Sequence, residues 1–544
     1  MTVGNAAPGN ARDVQAYLPR LDRHKPKCGP VRPSKMGRRR MWVLIGVHVL
    51  IGGHIVWWLA TGSAITPVEP SEAMQTIEMG RINAGFLLFL ALIASTLVFG
   101  RWFCGWACHV VALQDASAWL LGKIGLRPRP LRSRLLVLAP WVVAGHMFAW
   151  PLIEAWLSRW PLVAQWLGLS PRVLPSPSDW ELHLTTTELW QTFPGPLMGV
   201  LTFVVVGFLI VWWLGAKGFC THGCPYGAFF AVADRFAPMR IKVTDACDAC
   251  GHCTSVCTSN VRVHEEVAKH RKIVDPGCMK CMDCVSVCPK EALYVGFALP
   301  QPFATSQQRI RARADFTWPE EVLLAAVAFV STQWVFRGAW FGEGVPFLMA
   351  VGLGAITAVA AVLVARLVSR REVTFQHTPL KVDGRWTRRG RWGGALLVGW
   401  LLFAAHTFVA QRYSTAALEA ALEPVRASLY KSRPVSNNEL APVLASLDRY
   451  LGWAIVDNPR HVEVRALVLR GMERHVEAEQ ALLDALGSRP ALLFDEASLA
   501  LASYDLDPKR KRYAQAQRLI DHVLGRSPQH PIALVLQEKL QSLK

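Results

Sequence analysis

Eight of the chain's 13 cysteines fall between Cys247 and Cys288, in two copies of C-x2-C-x2-C-x3-C. The first copy reads CDACGHCTSVC and the second CMKCMDCVSVC, with twenty residues between them. Three closely spaced thiolates with a fourth just beyond are how a chain wraps a cubane [4Fe–4S] cluster, and in paired runs the fourth cysteine serves the other cluster. The expected ligands of one cluster are therefore Cys247, Cys250, Cys253 and Cys288. Those of the second are Cys278, Cys281, Cys284 and Cys257. Zinc sites favour two C-x2-C pairs over two four-cysteine runs, and disulfides need an oxidising compartment. Weak strand signals at Ile241–Thr244, Lys272–Val274 and Ala292–Val295 flank the runs as short hairpins would. So small a core is expected to fold together with its metal. Pro289 follows the last cysteine of the second run, whereas Thr258 stands in that place in the first.

The rest of the chain belongs to a membrane. Of its 544 residues 52% are hydrophobic and 22 are tryptophan, too apolar for an ordinary soluble protein of this length. Seven apolar stretches, roughly 41–61, 82–100, 135–157, 196–214, 319–341, 345–365 and 394–410, approach the length of a transmembrane helix. Gln333 and Arg337 interrupt the fifth, and a short Gly-rich turn joins it to the sixth as a helical hairpin. The formal charge of +19 does not point to nucleic acid, because residues 412–544 carry 18 Lys/Arg against 16 Asp/Glu and the excess lies in short loops beside the apolar stretches. Residues 1–40 hold ten Lys/Arg against two acids, and the loops 101–134 and 367–391 are also basic, while 62–81 and 158–195 are not. This alternation places the N-terminus and residues 216–318 in the cytoplasm of a bacterial-type inner membrane. Seven spans then put residues 412–544 on the outer side. The first span is expected to be an uncleaved anchor, and Cys28 in the tail a free thiol.

The expected architecture is an α-helical membrane protein of about seven transmembrane helices. It has a basic tail (1–40), a four-helix region (41–215), a small α+β two-cluster ferredoxin-like insert (216–318), three further spans (319–411) and an all-α helical-repeat domain (412–544). The repeat rests on QALLDALGSRPALL from Gln480 and QRLIDHVLGRSPQHPIAL from Gln517, 38 residues apart at Gly487 and Gly525. That offset is close to a tetratricopeptide period, and such an array is a protein-docking surface.

Two further cysteine pairs sit at the ends of the second and fourth stretches. Cys104 and Cys108 lie in RWFCGWACH, and Cys220 and Cys224 in GFCTHGCPYG. Residues at i and i+4 share a helix face, so each pair can chelate if helical. The topology puts all four thiols at one depth, as candidate ligands of a third Fe–S or copper centre or as redox thiols. His109 and His222 stand within these motifs as ligands, proton carriers or plain interfacial residues. Within the spans, His48, His54, His146 and His406 are ionisable. A b-type haem between His54 and His146 is disfavoured against hydrogen bonding to a neighbouring helix. A quinol pocket with Glu154 as proton acceptor is the other use for them. Trp57, Trp58, Trp150, Trp156, Trp212 and Trp213 suit an interfacial belt.

With FCGWAC, FCTHGCP and the two ferredoxin runs in this order around four spans, residues 40–300 resemble the membrane polyferredoxins of the NapH, NosR and CcoG type. The resemblance implies electron transfer between quinol or a cytoplasmic donor and a respiratory or assembly partner. It extends to nitrate or nitrous oxide reduction and to copper reduction during oxidase assembly. His109 stands where the family's first pair has proline, only 40 residues precede the first span, and nothing has the strand alternation of a C-terminal sandwich. The expected function is single-electron transfer through two [4Fe–4S] clusters. A copper reductase acting at Cys104, Cys108, Cys220 and Cys224 and a redox-sensing scaffold are the alternatives.

Overall fold

A computed structural model describes residues 30–543 apart from 127, 168–172, 188, 190–193, 307–313, 341–342, 430–434, 455–459, 479, 482–501, 504, 507–511 and 527–530. Cys28 and most of the repeat copy beginning at Gln480 lie outside the described residues. The chain is mostly helical and divides into two compact units, residues 1–327 with 358–397 and residues 328–357 with 398–544.

Five helices are long and apolar enough to cross a membrane: Lys35–Thr61, Leu136–Leu157, Pro196–Leu214, Phe347–Ser369 and Arg388–Ser414. They correspond to the first, third, fourth, sixth and seventh expected stretches. The second is the 16-residue apolar helix Ala84–Phe99, started by the Asn83 side chain accepting from the Phe86 amide at 2.8 Å. The fifth is the helix Trp318–Val330 followed by a π-helical turn, Ser331–Val335. Glu321 in its first turn is buried, because its carboxylate accepts from the Arg134 and Leu135 amides at 2.9 and 3.2 Å.

Within the first unit the connecting loops gather in two groups. Ala64–Ile65 pairs antiparallel with Thr185–Thr186, and Arg81–Ile82 pairs parallel with Glu181–Leu182. In the other group the Leu131 amide donates to the Leu214 carbonyl at 2.9 Å and the Arg132 amide to Asp315 at 2.8 Å. The Arg129 amide donates to Gln376 at 2.6 Å. Gln376 belongs to a small sheet of Val373–Phe375, Thr378–Val382 and Arg385–Trp386 that hydrophobic periodicity misses. The dipeptide Asp383-Gly384, with φ of 47° and 78°, is its sequence signal, since a two-residue hairpin turn of this type needs positive φ at both positions.

The cysteine-rich segment is closed by a ladder between its ends. Met239–Val243 pairs antiparallel with Leu293–Phe297, in register from Met239↔Phe297 to Val243↔Leu293. The expectation of local hairpins is corrected: the first strand pairs with the last, and Lys272 makes only a single bridge to Lys242. Both cysteine runs pack with this ladder in a shared core that includes Ile241, Val243, Val261, Val263, Val267 and Ile273.

In the second unit, the helices Asn437–Trp453 and Arg460–Gly471 pack as one pair and Tyr513–Arg526 and Pro531–Leu543 as another. Their apolar faces supply the fully buried Leu440, Leu447, Leu469, Leu519, Ile520 and Leu540.

Buried ion pairs hold the cysteine-rich segment against the helices of the first unit. Asp234, fully buried, accepts from Arg240 at 2.9 Å and from the Lys280 ammonium at 2.9 Å. Removing one member of such a group strands the others in a poor dielectric at about 3–5 kcal/mol. Asp234→Ala should therefore lower thermal stability in detergent by that order, far more than Asp245→Ala, whose side chain is fully exposed. Equal melting temperatures for the two variants would contradict this clamp.

Candidate metal centres

The two cysteine runs repeat one backbone at an offset of 31 residues. Ala249 and Lys280, Gly251 and Met282, and Asn260 and Glu291 all have positive φ, between 48° and 79°. Five of these six are not glycine, and a left-handed L-residue costs roughly 1–2 kcal/mol. Such turns aim successive backbone N–H groups into an anion-binding concavity, which repays the strain when sulfurs and a cluster fill it. Each run then enters a four-residue helix, His252–Ser255 or Asp283–Ser286.

Electrostatic neighbours cross between the two runs. The Cys257 thiol faces Cys281 and Cys278 of the other run, and Cys284 faces Cys278, Cys281, Cys257 and Cys253. Cys253 faces Cys250 and Cys247 of its own run. Cys288 packs in the same core and accepts from the Ala292 amide at 3.3 Å. Burial pushes the Cys253 and Cys257 thiols up to about 12. Among the described residues, no three His, Cys, Asp or Glu side chains are placed to hold a metal ion. A lone tetrahedral ion bonded at about 2.3 Å draws its sulfurs close together, while a cubane spreads them over its corners. An all-cysteine donor set serves either, and two four-cysteine runs are the pattern of paired cubanes.

Both C-x3-C pairs are built alike, and not as the single helix that i, i+4 spacing suggests. Cys104 lies in the short helix Trp102–Trp106, and Cys108 caps the next one, His109–Lys123. Cys220 lies in Gly218–His222, and Cys224 caps Pro225–Phe236. The Cys108 amide donates to the Phe103 carbonyl at 3.1 Å, and the Cys224 amide to that of Phe219 at 3.0 Å. His109 takes the first helical position that Pro225 occupies in the second pair. Proline is favoured there because that N–H has no intrahelical partner, and it is not required.

The four thiols are electrostatic neighbours of one another, without the close grouping of a single-ion site. Cys220 faces Cys224, Cys108 and Cys104, and Cys108 faces Cys104 and Cys224. First-turn amides of Val110 and Val111 donate to the Cys108 sulfur, and those of Tyr226 and Gly227 to Cys224. Burial pushes Cys108 up to about 12 and Cys224 to about 11 despite these bonds. The buried Arg101 guanidinium bonds Cys104 and faces Cys224 and Cys220, and it also donates to the Pro276 carbonyl at 3.1 Å. Gln114 donates to the Cys220 sulfur at 3.1 Å while accepting from the Phe219 amide. Four soft donors ringed by a cation and N–H groups suit a negatively charged sulfur-bound centre.

The second ferredoxin run sits directly on the first C-x3-C turn. A Cβ on Gly105 would meet the Met279 carbonyl at 2.2 Å, so only glycine permits the approach. The Trp106 indole donates to the Lys280 carbonyl at 2.9 Å. Arg40, buried, bridges Asp283 of the second run and Asp115 at 2.6 Å each, and Ser34 also donates to Asp283. Sequence reasoning missed Arg40, Arg101, Gln114, Asp115 and Lys217. For Arg101, Gln114, Asp115 and Lys217 the signal was polar residues kept close to the C-x3-C pairs within apolar surroundings, whereas Arg40 carried none.

The histidines are placed separately. His222 is buried with Nε2 at 3.2 Å from the Leu131 carbonyl, and burial lowers its pKa, so it stays neutral. His48 pairs with the Leu44 carbonyl at 2.8 Å and His54 with that of Ile65 at 2.8 Å. His146 lies in the π-helical turn Gly145–Ala149, and His406 stacks on Trp453.

Comparison with known proteins agrees with this partition. A 4Fe-4S binding domain family model matches residues 84–127 and 197–244, which enclose the two C-x3-C pairs, and a 4Fe-4S dicluster domain matches 246–293. The methylamine utilization ferredoxin-type protein MauN of Methylorubrum extorquens is 26% identical over 40% of this chain and 73% of its own. The ferredoxin-type protein NapH of Haemophilus influenzae is 26% identical over 38% of this chain and 63% of its own. NapH of Escherichia coli is 24% identical over 46% and 81%. No solved structure gives a significant match.

Thiols held near 11 to 12 keep their protons at neutral pH, whereas metal ligation requires thiolate. Iron–sulfur reconstitution of stripped protein should therefore release protons and become more favourable as pH rises from 7 to 9. A pH indicator in weak buffer reads this directly. Loading without proton release would contradict it.

Proposed function

We propose that this chain, which carries 4Fe-4S ferredoxin-type domains and is homologous to the membrane ferredoxin-type proteins NapH and MauN, passes single electrons between the ferredoxin runs and the C-x3-C thiols. A membrane electron-transfer role follows from these domains, these relatives and the apolar helices. In the proposal, Cys247, Cys250, Cys253 and Cys288 hold one [4Fe–4S] cluster and Cys278, Cys281, Cys284 and Cys257 a second. Cys104, Cys108, Cys220 and Cys224 hold a third Fe–S centre. Such clusters supply one-electron redox chemistry at potentials set by charge, hydrogen bonds and solvent access.

The observation that carries this reading is the seating of the second run on the Gly105 turn, which brings the two thiol groups together without solvent between Gly105 and the Met279 carbonyl. Arg101 and Gln114 offset charge at the membrane-edge thiols, and the inward-turned amides of the runs do so at the others.

The proposed topology has seven spans, with the two shorter helices included, the ferredoxin segment cytoplasmic and the C-terminal helices outside. Pairing of loop 62–83 with 181–187, and of 129–132 with 214, 315 and 376, supports the alternation. Quinol or a cytoplasmic protein would be the donor, and the C-terminal helices would dock a respiratory or assembly partner.

Anaerobically purified protein should contain about twelve irons, about four of them lost in the Cys104→Ser/Cys220→Ser variant. Cys257→Ser should perturb the EPR signal of the cluster that Cys281→Ser perturbs, and not the one altered by Cys250→Ser. Fewer than about four irons in the intact protein would end this reading.

A further inference from the structure

Lys217 is a buried cation in an unusual setting. It lies between the span Pro196–Leu214 and the turn carrying Cys220, is fully buried, and adopts a left-handed backbone with φ of 56°. Its ammonium is 3.8 Å from an Asp115 oxygen, and among the described residues it has no hydrogen-bond acceptor. Asp115 is already held by Arg40 at 2.6 Å through its other oxygen. The remaining groups facing the ammonium are Cys281, Arg40 and Cys220. Cys281 belongs to the second ferredoxin run and Cys220 to the membrane-edge group.

Burying an ammonium without hydrogen bonds costs several kcal/mol unless negative charge compensates it. Asp115 and Asp283 balance Arg40 and Lys217 in formal charge, but both carboxylates are bonded by Arg40. Asp115 is the nearest negative group to Lys217, and the sulfurs of Cys281 and Cys220 are the other negative groups its charge reaches. Arg101 performs no such double duty, since the sulfurs it faces are Cys104, Cys224 and Cys220, all of the membrane-edge group.

We infer that Lys217 is a tuning residue shared by two redox centres, a fixed positive charge that stabilises an added electron on the Cys281 side and on the Cys220 side alike. One electron leaves one centre and enters the other, no bond forms or breaks, and Lys217 keeps its proton throughout. Its charge favours reduction on both sides, so exchange across the Gly105–Met279 contact stays close to balanced. This rests on the proposal that Cys220 and Cys281 each ligate a cluster.

The test is a dithionite titration of the full-length protein in detergent, followed by EPR with iron counted in each sample. Lys217→Met should retain wild-type iron. It should make reduction less favourable by about tenfold, or about 59 mV for one electron, at the centres containing Cys281 and Cys220. The centre containing Cys247 should move much less, and Lys217→Arg should restore both potentials. Unchanged potentials in fully loaded Lys217→Met, or a shift at only one of the two centres, overturns the inference. If Lys217→Met loses iron, Asp115→Asn decides: potentials should rise at the same two centres, and no rise overturns the inference. Absence of iron at the Cys220 site in the wild type is a separate result, which removes the third centre itself.

Discussion

The contact between the Gly105 turn and the carbonyl of Met279 fixes how the second cysteine run seats on the first C-x3-C turn. It requires glycine, because any Cβ would enter the carbonyl oxygen. It also requires the second cysteine run to arrive with a fixed orientation, which buried charges impose. Arg40 joins the first long helix to Asp283 and to Asp115, while Asp234 joins Arg240 and Lys280. Isolated buried ion pairs add little net stability, since desolvation offsets the attraction, but their geometry is unforgiving. Here they align two groups of thiols whose chemistry depends on proximity.

The two groups face a common electrostatic problem. Buried thiols resist ionisation, as the raised values at Cys108, Cys224, Cys253 and Cys257 reflect. Left-handed turns and helix N-termini answer it by pointing backbone N–H groups at sulfur, and Arg101, Gln114 and Lys217 by supplying charge or a donor. The strain repeated at Ala249, Asn260, Lys280, Met282 and Glu291 suits turns that close around something anionic.

Much of this was legible in the sequence because cysteine spacing is a direct statement of ligand geometry. The expectation that Cys257 joins the second group comes from the run pattern alone, and the five long apolar helices follow from length and hydropathy. The strand pairing of Met239–Val243 with Leu293–Phe297 did not, because short strands around a metal core carry no alternation strong enough to reveal partners. The division of each C-x3-C into a helical turn and a helix cap was hidden by the i, i+4 spacing, which a single helix would satisfy equally. The ion pairs were least visible of all. Arg40 lies in a basic stretch that reads as a topology signal, and only packing distinguishes it from Arg38 and Arg39.

The central claim is that the ferredoxin thiols and the membrane-edge thiols hold neighbouring centres. Pulsed EPR of the fully reduced protein measures this through spin–spin coupling. The account predicts a dipolar interaction between the centre containing Cys281 and that containing Cys220, abolished in Cys220→Ser/Cys224→Ser while the ferredoxin signals persist. Signals that relax independently in the intact protein, with all iron present, would contradict it.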